Sequence, residues 1–307
     1  MWRVRVPASS ANLGPGLDTL AMALPLWLEC EFIQHIESQI ILKGEGADSL
    51  PADASNLVWS SAQRVYSYYK HQTLPPGILT INSQIPLGRG LGSSAAAVVA
   101  GVFLANNLLS NRLSQEEMLQ WAIQIEGHPD NVAAALYGGF VLCWQEASPR
   151  SSQDNTLYTH VQKYPVPDLT AIVAIPGFTV STQKAREILP QSISLHEAIF
   201  TAQRVGLWLY ALQQKDWQLL RYAAEDQLHQ PYREHLNPHM PILFEQAYSA
   251  GAVAVFLSGS GPTILALAQE AQRTDIVRQW QALPPFEDHT ALTVKDFALE
   301  NTGAHLF

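Results

Sequence analysis

A ten-residue stretch rich in glycine and serine constrains this chain more than any other segment. It follows a strand-like run at residues 78–81 and leads directly into a helix of small residues at 95–100. Three glycines at alternating positions allow a tight turn and a close approach of the backbone to a ligand. Two serines then open the helix, where unpaired N–H groups and the helix dipole favour an anion. The stretch predicts a phosphate-binding loop made of Pro86, Leu87, Gly88, Arg89, Gly90, Leu91, Gly92, Ser93, Ser94 and Ala95.

Two common nucleotide-binding motifs fit this loop poorly. The P-loop requires a lysine after its last glycine, whereas Ser93 follows Gly92 here. The dinucleotide motif G-x-G-x-x-A is matched, but it requires a second strand ending in an acidic residue about 20 positions later. The residues at that distance, 111–117, are typical of a loop and a helix start. From this stretch alone, the interpretation as a glycine loop that binds no ligand also remains possible.

Composition and charge restrict the class of partner. The chain has 307 residues, of which 47% are hydrophobic and 15% charged, as in a globular protein large enough for two domains. Its net charge of −9 disfavours a nucleic-acid backbone as the main partner. The longest apolar run, residues 95–105, is far shorter than the roughly 20 residues that span a bilayer. We expect a cytoplasmic protein without a nucleic-acid or membrane partner.

A first loop follows the initial strand at residues 2–6. Residues 7–18, PASSANLGPGLD, contain two glycines, two prolines and short polar residues, which predicts a shaped loop and alone would equally suit a surface turn. The segment resembles the first motif of homoserine kinases, Pro-Ala-(Ser or Thr)-Ser-Ala-Asn-Leu-Gly-Pro-Gly-Phe-Asp, with Leu17 in place of phenylalanine. The glycine loop likewise resembles the ATP-phosphate motif of the GHMP small-molecule kinases, to which homoserine kinases belong. The resemblance implies that Asn12 lies near ATP and substrate and that Asp18 binds the substrate amino group.

A polar cluster, EGHPDN, occupies residues 126–131 at a predicted junction between two helices. Glycine and proline end the helix that a capping box opens at residues 114–117, and a new helix can begin at 130. By itself the cluster would suit a solvated junction with a capping aspartate. It resembles the homoserine kinase segment E-G-H-x-D-N-V-A. That resemblance implies Mg²⁺ ligands at Ser94 and Glu126 and substrate contacts at His128, Asp130 and Asn131.

Two arginines in the second half of the chain lie in patterns of the same family. Arg186 ends the sequence STQKAR and Arg233 ends HQPYR, and each alone would be taken for a surface residue. Both patterns resemble substrate elements of homoserine kinases. The resemblance implies that Thr182, Arg186 and Arg233 bind the substrate, with both guanidiniums on one carboxylate, because arginine suits planar bidentate contacts.

The remaining elements follow from periodicity, capping and glycine loops. The loop at 258–262 joins two apolar runs, which predicts a hairpin or plain tight turn, and it resembles the third GHMP motif, which packs beside the first. We predict helices at 56–69, 114–126, from 181, 194–214, 216–228 and 271–282. We predict further strands at 28–36, 39–43, 169–175 and 292–297, and a tail at 300–307.

The resemblance covers nearly the whole chain and implies its fold and activity. The fold would be α+β and two-lobed, with an N-terminal ATP-binding domain at 1–150 and a ferredoxin-like C-terminal domain at 151–307. The boundary would lie in the polar segment 148–156. The implied activity transfers the γ-phosphate of ATP, with Mg²⁺, to the side-chain hydroxyl of L-homoserine in threonine biosynthesis. The alternative is another GHMP kinase, acting on mevalonate or a sugar. Family members are usually homodimers, which the sequence itself does not show.

The implied catalytic residues are Asn131, on the attacking hydroxyl, together with Asp130 and Arg186. The transition state of phosphoryl transfer is loose, so catalysis rests mainly on positioning and charge stabilisation. Mevalonate kinase relatives pair a base aspartate with a lysine in the first motif, and residues 7–18 contain no lysine. Two proton routes therefore stay open: acceptance by Asp130, or direct passage from the hydroxyl to phosphate.

Overall fold

The structure is a computed structural model that describes residues 1–147, 157–284, 286 and 291–307, and two β-sheets organise it. In the larger sheet the order is β11-β1-β2-β4-β3, with β5 paired to β2 and β6 paired to β5. All pairs are antiparallel except β3 with β4. Its strands are β1 (Trp2–Asn12), β2 (Gly16–Gln34), β3 (Gln39–Gly44), β4 (Gly77–Ser83), β5 (Phe140–Ala147), β6 (Leu157–Tyr164) and β11 (His305–Leu306).

The smaller sheet is antiparallel throughout and has the order β10-β7-β9-β8. Helices follow its first and third strands along the chain, which is the split β-α-β arrangement of ferredoxin-like folds. The predicted ferredoxin-like lobe and the α+β class are confirmed. The strands are β7 (Thr170–Pro176), β8 (Ala254–Leu257), β9 (Ile264–Ala268) and β10 (Leu292–Ala298).

Capping residues set several helix starts where the sequence predicts them. Ser114 and Ser194 each form a capping box, with Glu117 and Glu197 respectively, and Ser181 caps a short helix. The helices are α1 (Leu57–Lys70), α2 (Ser93–Leu108), α3 (Gln115–Glu126), α4 (Asp130–Tyr137), α5 (Thr182–Glu187), α6 (Leu195–Gln214), α7 (Leu220–Ala223), α8 (Gln230–Arg233), α9 (Met240–Ser249) and α10 (Glu270–Gln281). None of the helices in the described ranges is long and apolar enough to cross a bilayer.

Helix α2 is the central helix of the larger core. It is built almost entirely of small and apolar residues, as expected for a helix buried on most sides. Gly101 brings it against α1, because a Cβ at that position would lie 2.4 Å from the carbonyl oxygen of Val58. Close packing against α1 and β1 fixes the direction of α2, and hence the position of its N-terminus.

The predicted helix at 216–228 is wrong. The chain forms a 3₁₀ turn at Trp217–Leu219, the four-residue α7, and then a non-helical segment before α8. The buried carboxylate of Asp226 accepts hydrogen bonds from the backbone N–H groups of residues 228, 229 and 230, at 2.7–3.0 Å. Such side-chain bonds compete with the helical pattern and break it here.

The first loop and the C-terminal tail are also different from the predictions. Strand β1 continues to Asn12 and β2 begins at Gly16, so only residues 13–15 form the turn. The predicted strand at 28–36 is the end of the 19-residue β2. The predicted tail contains β11, which pairs with β1. The residue pattern of one segment does not reveal the pairing of β1 with β11, because the two strands are distant in sequence.

The predicted domain boundary at 148–156 lies outside the described residues. Strands β6 and β11, both beyond residue 150, belong to the larger sheet. The division at 150/151 stays a prediction.

Candidate active site

One cavity of about 160 Å³ gathers residues from every motif in the sequence. Strand β1, the glycine loop, the α3–α4 junction, α5, α8 and the β8–β9 loop all reach it. Most of the predicted site residues line it: Asn12, Asp18, Gly88, Gly90, Gly92, Ser93, Ser94, Glu126, His128, Asp130, Asn131, Thr182, Arg186 and Arg233. The structure therefore brings together groups that are more than 200 residues apart in the chain.

The glycine loop uses left-handed backbone at each of its three glycines. The φ angles of Gly88, Gly90 and Gly92 are 63°, 72° and 71°, a region that side chains rarely adopt. A Cβ on Gly90 would lie 2.1 Å from the carbonyl oxygen of Ser258. The loop can therefore pack against the β8–β9 turn and still present its backbone to the cavity. Gly92 is the N-cap of α2, so the first backbone N–H groups of that helix lie at the cavity.

The other residues of the glycine loop hold it in place. Pro86, Leu91 and Ala95 are buried. The Arg89 guanidinium donates to the carbonyl oxygens of Pro176 at 3.0 Å and Gly177 at 3.1 Å, at the end of β7. These contacts tie the loop to the smaller sheet. Leu87 lines a neighbouring cavity.

The two predicted metal ligands, Ser94 and Glu126, contact each other at the N-terminus of α2. The Ser94 hydroxyl donates to the carboxylate of Glu126 at 2.7 Å. Glu126 is the last residue of α3, and Gly127, with φ of 94°, ends that helix. A hydroxyl and a carboxylate oxygen at this separation are a suitable donor pair for a hard divalent cation.

The imidazole of His128 bridges two carboxylates. Its Nδ1 lies 3.0 Å from Oδ1 of Asp130, and its Nε2 lies 3.8 Å from Oε1 of Glu126. Burial lowers the pKa of His128, but the hydrogen bond and charge of Asp130 outweigh burial, so the pKa is raised above its ordinary value. Asp130, the first residue of α4, also accepts from the backbone N–H of Asn131 at 2.8 Å.

Asp18 and Arg186 form a bidentate ion pair across the cavity. The guanidinium donates to the two carboxylate oxygens at 2.5 and 3.0 Å. Asp18 adopts a φ of 57°, an uncommon conformation for a residue with a side chain. Burial raises the pKa of Asp18, but the hydrogen bonds and charge of Arg186 outweigh it and lower the pKa overall.

Arg233 is 2% exposed and is fixed by backbone carbonyls on two sides. Its Nε donates to Ala185 at 3.0 Å and its Nη1 donates to Gly259 at 3.1 Å. Among the described residues, Nη2 has no hydrogen-bond partner, and the residue lines the cavity. Burial, followed by the charge of Arg186, lowers the pKa of Arg233 to about 10. The guanidinium therefore remains charged at neutral pH.

His229 is a buried residue beside the site to which the sequence argument gave no role. It is fully buried, its Nε2 lies 2.7 Å from the carbonyl oxygen of Gly14, and its Nδ1 lies 3.1 Å from Nη1 of Arg233. Burial lowers the pKa of His229, so the ring is neutral, donates from Nε2 and accepts at Nδ1. The ring thus joins the first-motif turn to Arg233. Its only sequence signal is its place in the HQPYR pattern.

A second, mostly apolar cavity of about 370 Å³ lies on the other side of the glycine loop. It shares Gly88, Ser93 and Ser94 with the first cavity. Its walls come from β3, the segment after β3, the start of α1, and β4, and include Leu42, Leu50, Leu57 and Ile81. These residues were not singled out from the sequence, because apolar side chains at strand and helix spacing are typical of a core.

Comparison with known proteins decides the family. Residues 56–139 match the family described as GHMP kinases N terminal domain, and residues 208–285 match GHMP kinases C terminal. A homoserine kinase of Caldanaerobacter subterraneus subsp. tengcongensis is 38% identical over 311 residues, covering 100% of this chain and 95% of that protein. The homoserine kinase of Trichormus variabilis is 41% identical over 308 residues, covering 98% and 97%. The chain belongs to the homoserine kinase family.

Solved structures place the fold in the same family. The crystal structure of homoserine kinase from Cytophaga hutchinsonii has a TM-score of 0.81 and 31% identity, covering 100% of this chain and 97% of that one. Streptococcus pneumoniae phosphomevalonate kinase, at 17% identity and a TM-score of 0.68 over 97% and 100%, shares the fold alone. The family assignment predicted from the motifs is confirmed.

Proposed function

We propose that this chain is a homoserine kinase that transfers the γ-phosphate of ATP to the side-chain hydroxyl of L-homoserine, the step that its family performs in threonine biosynthesis. One observation carries the proposal. A carboxylate and two guanidiniums, from Asp18, Arg186 and Arg233, surround the same cavity as the N-terminus of α2. A zwitterionic amino acid needs such a set of charges for its ammonium and carboxylate groups, and a neutral sugar does not.

ATP would occupy both cavities. The apolar cavity suits a nucleoside base, and the residues shared by the two cavities lie where the phosphates must pass. The N–H groups of Ser93 and Ser94 would bind the phosphate oxygens at the positive end of α2. The charge at this end comes from backbone dipoles, so the loop accepts triphosphate without a lysine.

Mg²⁺ would bind at Ser94 and Glu126. The Ser94 hydroxyl and the Glu126 carboxylate already lie side by side, joined by a hydrogen bond. The donor set, one hydroxyl and one carboxylate, fits a cation that keeps several waters and takes further ligands from phosphate. When bound, the ion would neutralise charge developing between the β- and γ-phosphates.

Homoserine would exchange with the internal ion pair. Asp18 would take the ammonium, and Arg186 and Nη2 of Arg233 would take the carboxylate. Ligand atoms of Asp18, His128 and Asp130 lie within 4.8 Å of one another, so a second carboxylate lies close to the one proposed to bind the ammonium. When the Asp18–Arg186 ion pair separates, each of the two side chains would then bind the oppositely charged group of the zwitterion.

The hydroxyl would lie beside Asn131 and Asp130. Its oxygen forms a bond to the γ-phosphorus, the bond from phosphorus to the bridging oxygen breaks, and ADP leaves with that electron pair. The hydroxyl proton passes to Asp130 or to a phosphate oxygen. A cytoplasmic location and a homodimer stay predictions.

A coupled ADP-release assay tests the proposal. We expect turnover with L-homoserine and Mg²⁺-ATP and little or none with mevalonate, galactose or shikimate. Turnover that prefers mevalonate or galactose would overturn the amino-acid assignment. The analogue 4-hydroxybutyrate, which lacks the amino group, adds a control: we expect it to be phosphorylated less well, because it offers no ammonium group to Asp18.

A further inference from the structure

Ser9 is a buried hydroxyl that does not line either cavity, yet it contacts both sides of the reaction centre. It lies in β1 and is fully buried. Its hydroxyl donates to Oδ1 of Asn131 at 2.8 Å. Its backbone N–H donates to the carbonyl oxygen of Leu91, in the glycine loop, at 3.2 Å. A Cβ on Gly92 would lie 2.1 Å from the Ser9 hydroxyl oxygen, so the loop backbone packs directly against that oxygen.

The bond from Ser9 orients the Asn131 amide. An asparagine side chain has one acceptor oxygen and an NH₂ group with two donors. The oxygen accepts from Ser9 and is thereby held toward β1. The NH₂ group has no partner among the described residues, and Asn131 lines the cavity. The donor end is therefore the one left for the substrate.

We infer that Ser9 is a positioning residue for the acceptor hydroxyl. It holds the Asn131 amide so that its NH₂ group donates to the hydroxyl oxygen, and it ties this amide to the backbone that binds the phosphates. The distance between the attacking oxygen and the γ-phosphate is then set through one side chain, and small misplacements of reacting groups cost much in rate. The inference rests on the proposed function for the identity of the acceptor.

The next residue in the strand provides a matched control. Ser10 is equally buried, and its side chain points to the opposite face of β1. Its hydroxyl oxygen lies 2.8 Å from that of Ser258, which in turn lies 2.7 Å from the carbonyl oxygen of Gly90. Ser10 thus supports the glycine loop without bonding to Asn131. Of the two side-chain hydroxyls, that of Ser9 contacts Asn131 and that of Ser10 contacts Ser258.

A double-mutant cycle tests the inference. Ser9→Ala should lower kcat about tenfold or more, with little change in the KM for ATP, because the positioned group acts on the acceptor. In an Asn131→Ala background, Ser9→Ala should cause no further loss, since contacting residues that act through one another are not additive. Ser10→Ala should cause the same fold-change in both backgrounds. Ser9→Thr keeps the hydroxyl and should retain a turnover close to that of the wild type. Ser9→Cys, with a weak donor, takes the place of Ser9→Ala if that variant does not fold.

A second measurement does not depend on homoserine turnover. In protein labelled with ¹⁵N-asparagine, the side-chain NH₂ signals of Asn131 are those lost in Asn131→Ala. Ser9→Ala should shift and broaden them in the free protein, while Ser10→Ala leaves them in place. If the wild type did not phosphorylate homoserine, the proposed function would fall, and these spectra would still decide the role of Ser9. Unmoved signals, or losses of kcat that multiply in the double variant, would overturn the inference.

Discussion

The phosphate side and the carboxylate side of the active site are built in opposite ways. The phosphate side is one continuous segment, residues 86–95, and uses backbone N–H groups at the start of α2. The carboxylate side takes Asp18, Arg186 and Arg233 from three distant segments and uses full charges. Backbone donors need only the right turn, whereas buried charges need partners from the rest of the fold.

The two sides consequently have different neighbours. Gly90 approaches the backbone of the β8–β9 turn and Gly92 approaches Ser9 of β1, and a side chain at either position would have no room. Arg233, in contrast, is surrounded by acceptors, the carbonyl oxygens of Ala185 and Gly259 and the ring of His229. We therefore expect changes on the phosphate side to act on ATP, and changes on the carboxylate side to act on homoserine.

The largest expected effect separates the two sides directly. Arg233→Ala removes a buried charge-assisted contact, which costs about 2–5 kcal/mol, or roughly 30-fold to several thousandfold in affinity. kcat/KM for homoserine should fall by at least the lower factor, while the KM for ATP changes little. Arg186→Ala is the matched variant, and because this guanidinium is 38% exposed its loss should be smaller. Equal losses for ATP and homoserine in Arg233→Ala would contradict the division between the two sides.

The next effect concerns Glu126, the carboxylate proposed to hold Mg²⁺ beside the glycine loop. Glu126→Gln keeps the shape of the side chain and removes the charge on Mg²⁺, so turnover should fall by roughly 10²-fold. The activity should also require more Mg²⁺. Glu116→Gln, an exposed position on the same helix, serves as the control and should change neither quantity. Wild-type turnover of Glu126→Gln at ordinary Mg²⁺ concentrations would remove Glu126 from the metal site.

A smaller effect tests the space around the glycine loop. Gly92→Ala places a methyl group on a residue with φ of 71°, 2.1 Å from the Ser9 hydroxyl oxygen. The loop must shift, and we expect the KM for ATP to rise about tenfold with a native circular-dichroism spectrum. Gly206 lies in α6 with no atom within 4 Å of a Cβ, so Gly206→Ala should leave ATP binding unchanged and stabilise the helix slightly. Unchanged calorimetric ATP affinity in Gly92→Ala would argue against the phosphate assignment.

The smallest effect is a pH dependence of stability on the carboxylate side. His229 is held neutral, with its pKa lowered from the ordinary 6.5 by burial, and Asp226 and Arg233 are its charged neighbours. Below pH 6.5 the unfolded chain binds a proton that the folded chain does not. The free energy of unfolding should therefore fall as pH decreases from 6.5, by at most about 1.4 kcal/mol per pH unit from this group.

Urea unfolding between pH 5 and 7.5 measures that dependence. The other nine histidines contribute to both proteins, so the informative quantity is the difference between wild type and His229→Gln. That difference should shrink toward low pH. A difference that is constant with pH would mean that folded His229 binds a proton as readily as the unfolded chain does, and would contradict the hydrogen bond that it accepts from Arg233.

Much of the phosphate side could be predicted because its information is local. The alternating glycines, the serines at the helix start and the capping box of α3 lie within a few residues of the groups they position. The same holds for the helix break at Gly127, which places Glu126 at the end of α3. Local hydrogen bonding and allowed backbone angles decide such features.

The carboxylate side was reached from the sequence only through family resemblance. Nothing local marks Arg186 or Arg233 as neighbours, and the non-helical segment before α8 was predicted as helix. Its cause is the Asp226 carboxylate, which accepts three backbone N–H groups, a contact that propensity does not reveal.

The sequence by itself determined the phosphate loop, the positions of the caps and the residues around which a kinase site is organised. Only the tertiary structure decided that Asp18 pairs with Arg186, that His229 holds Arg233, and that Ser9 joins Asn131 to the glycine loop. The physical reason is range: turns and caps are settled by neighbouring residues, whereas a buried polar group must find its partner wherever the packed chain brings one.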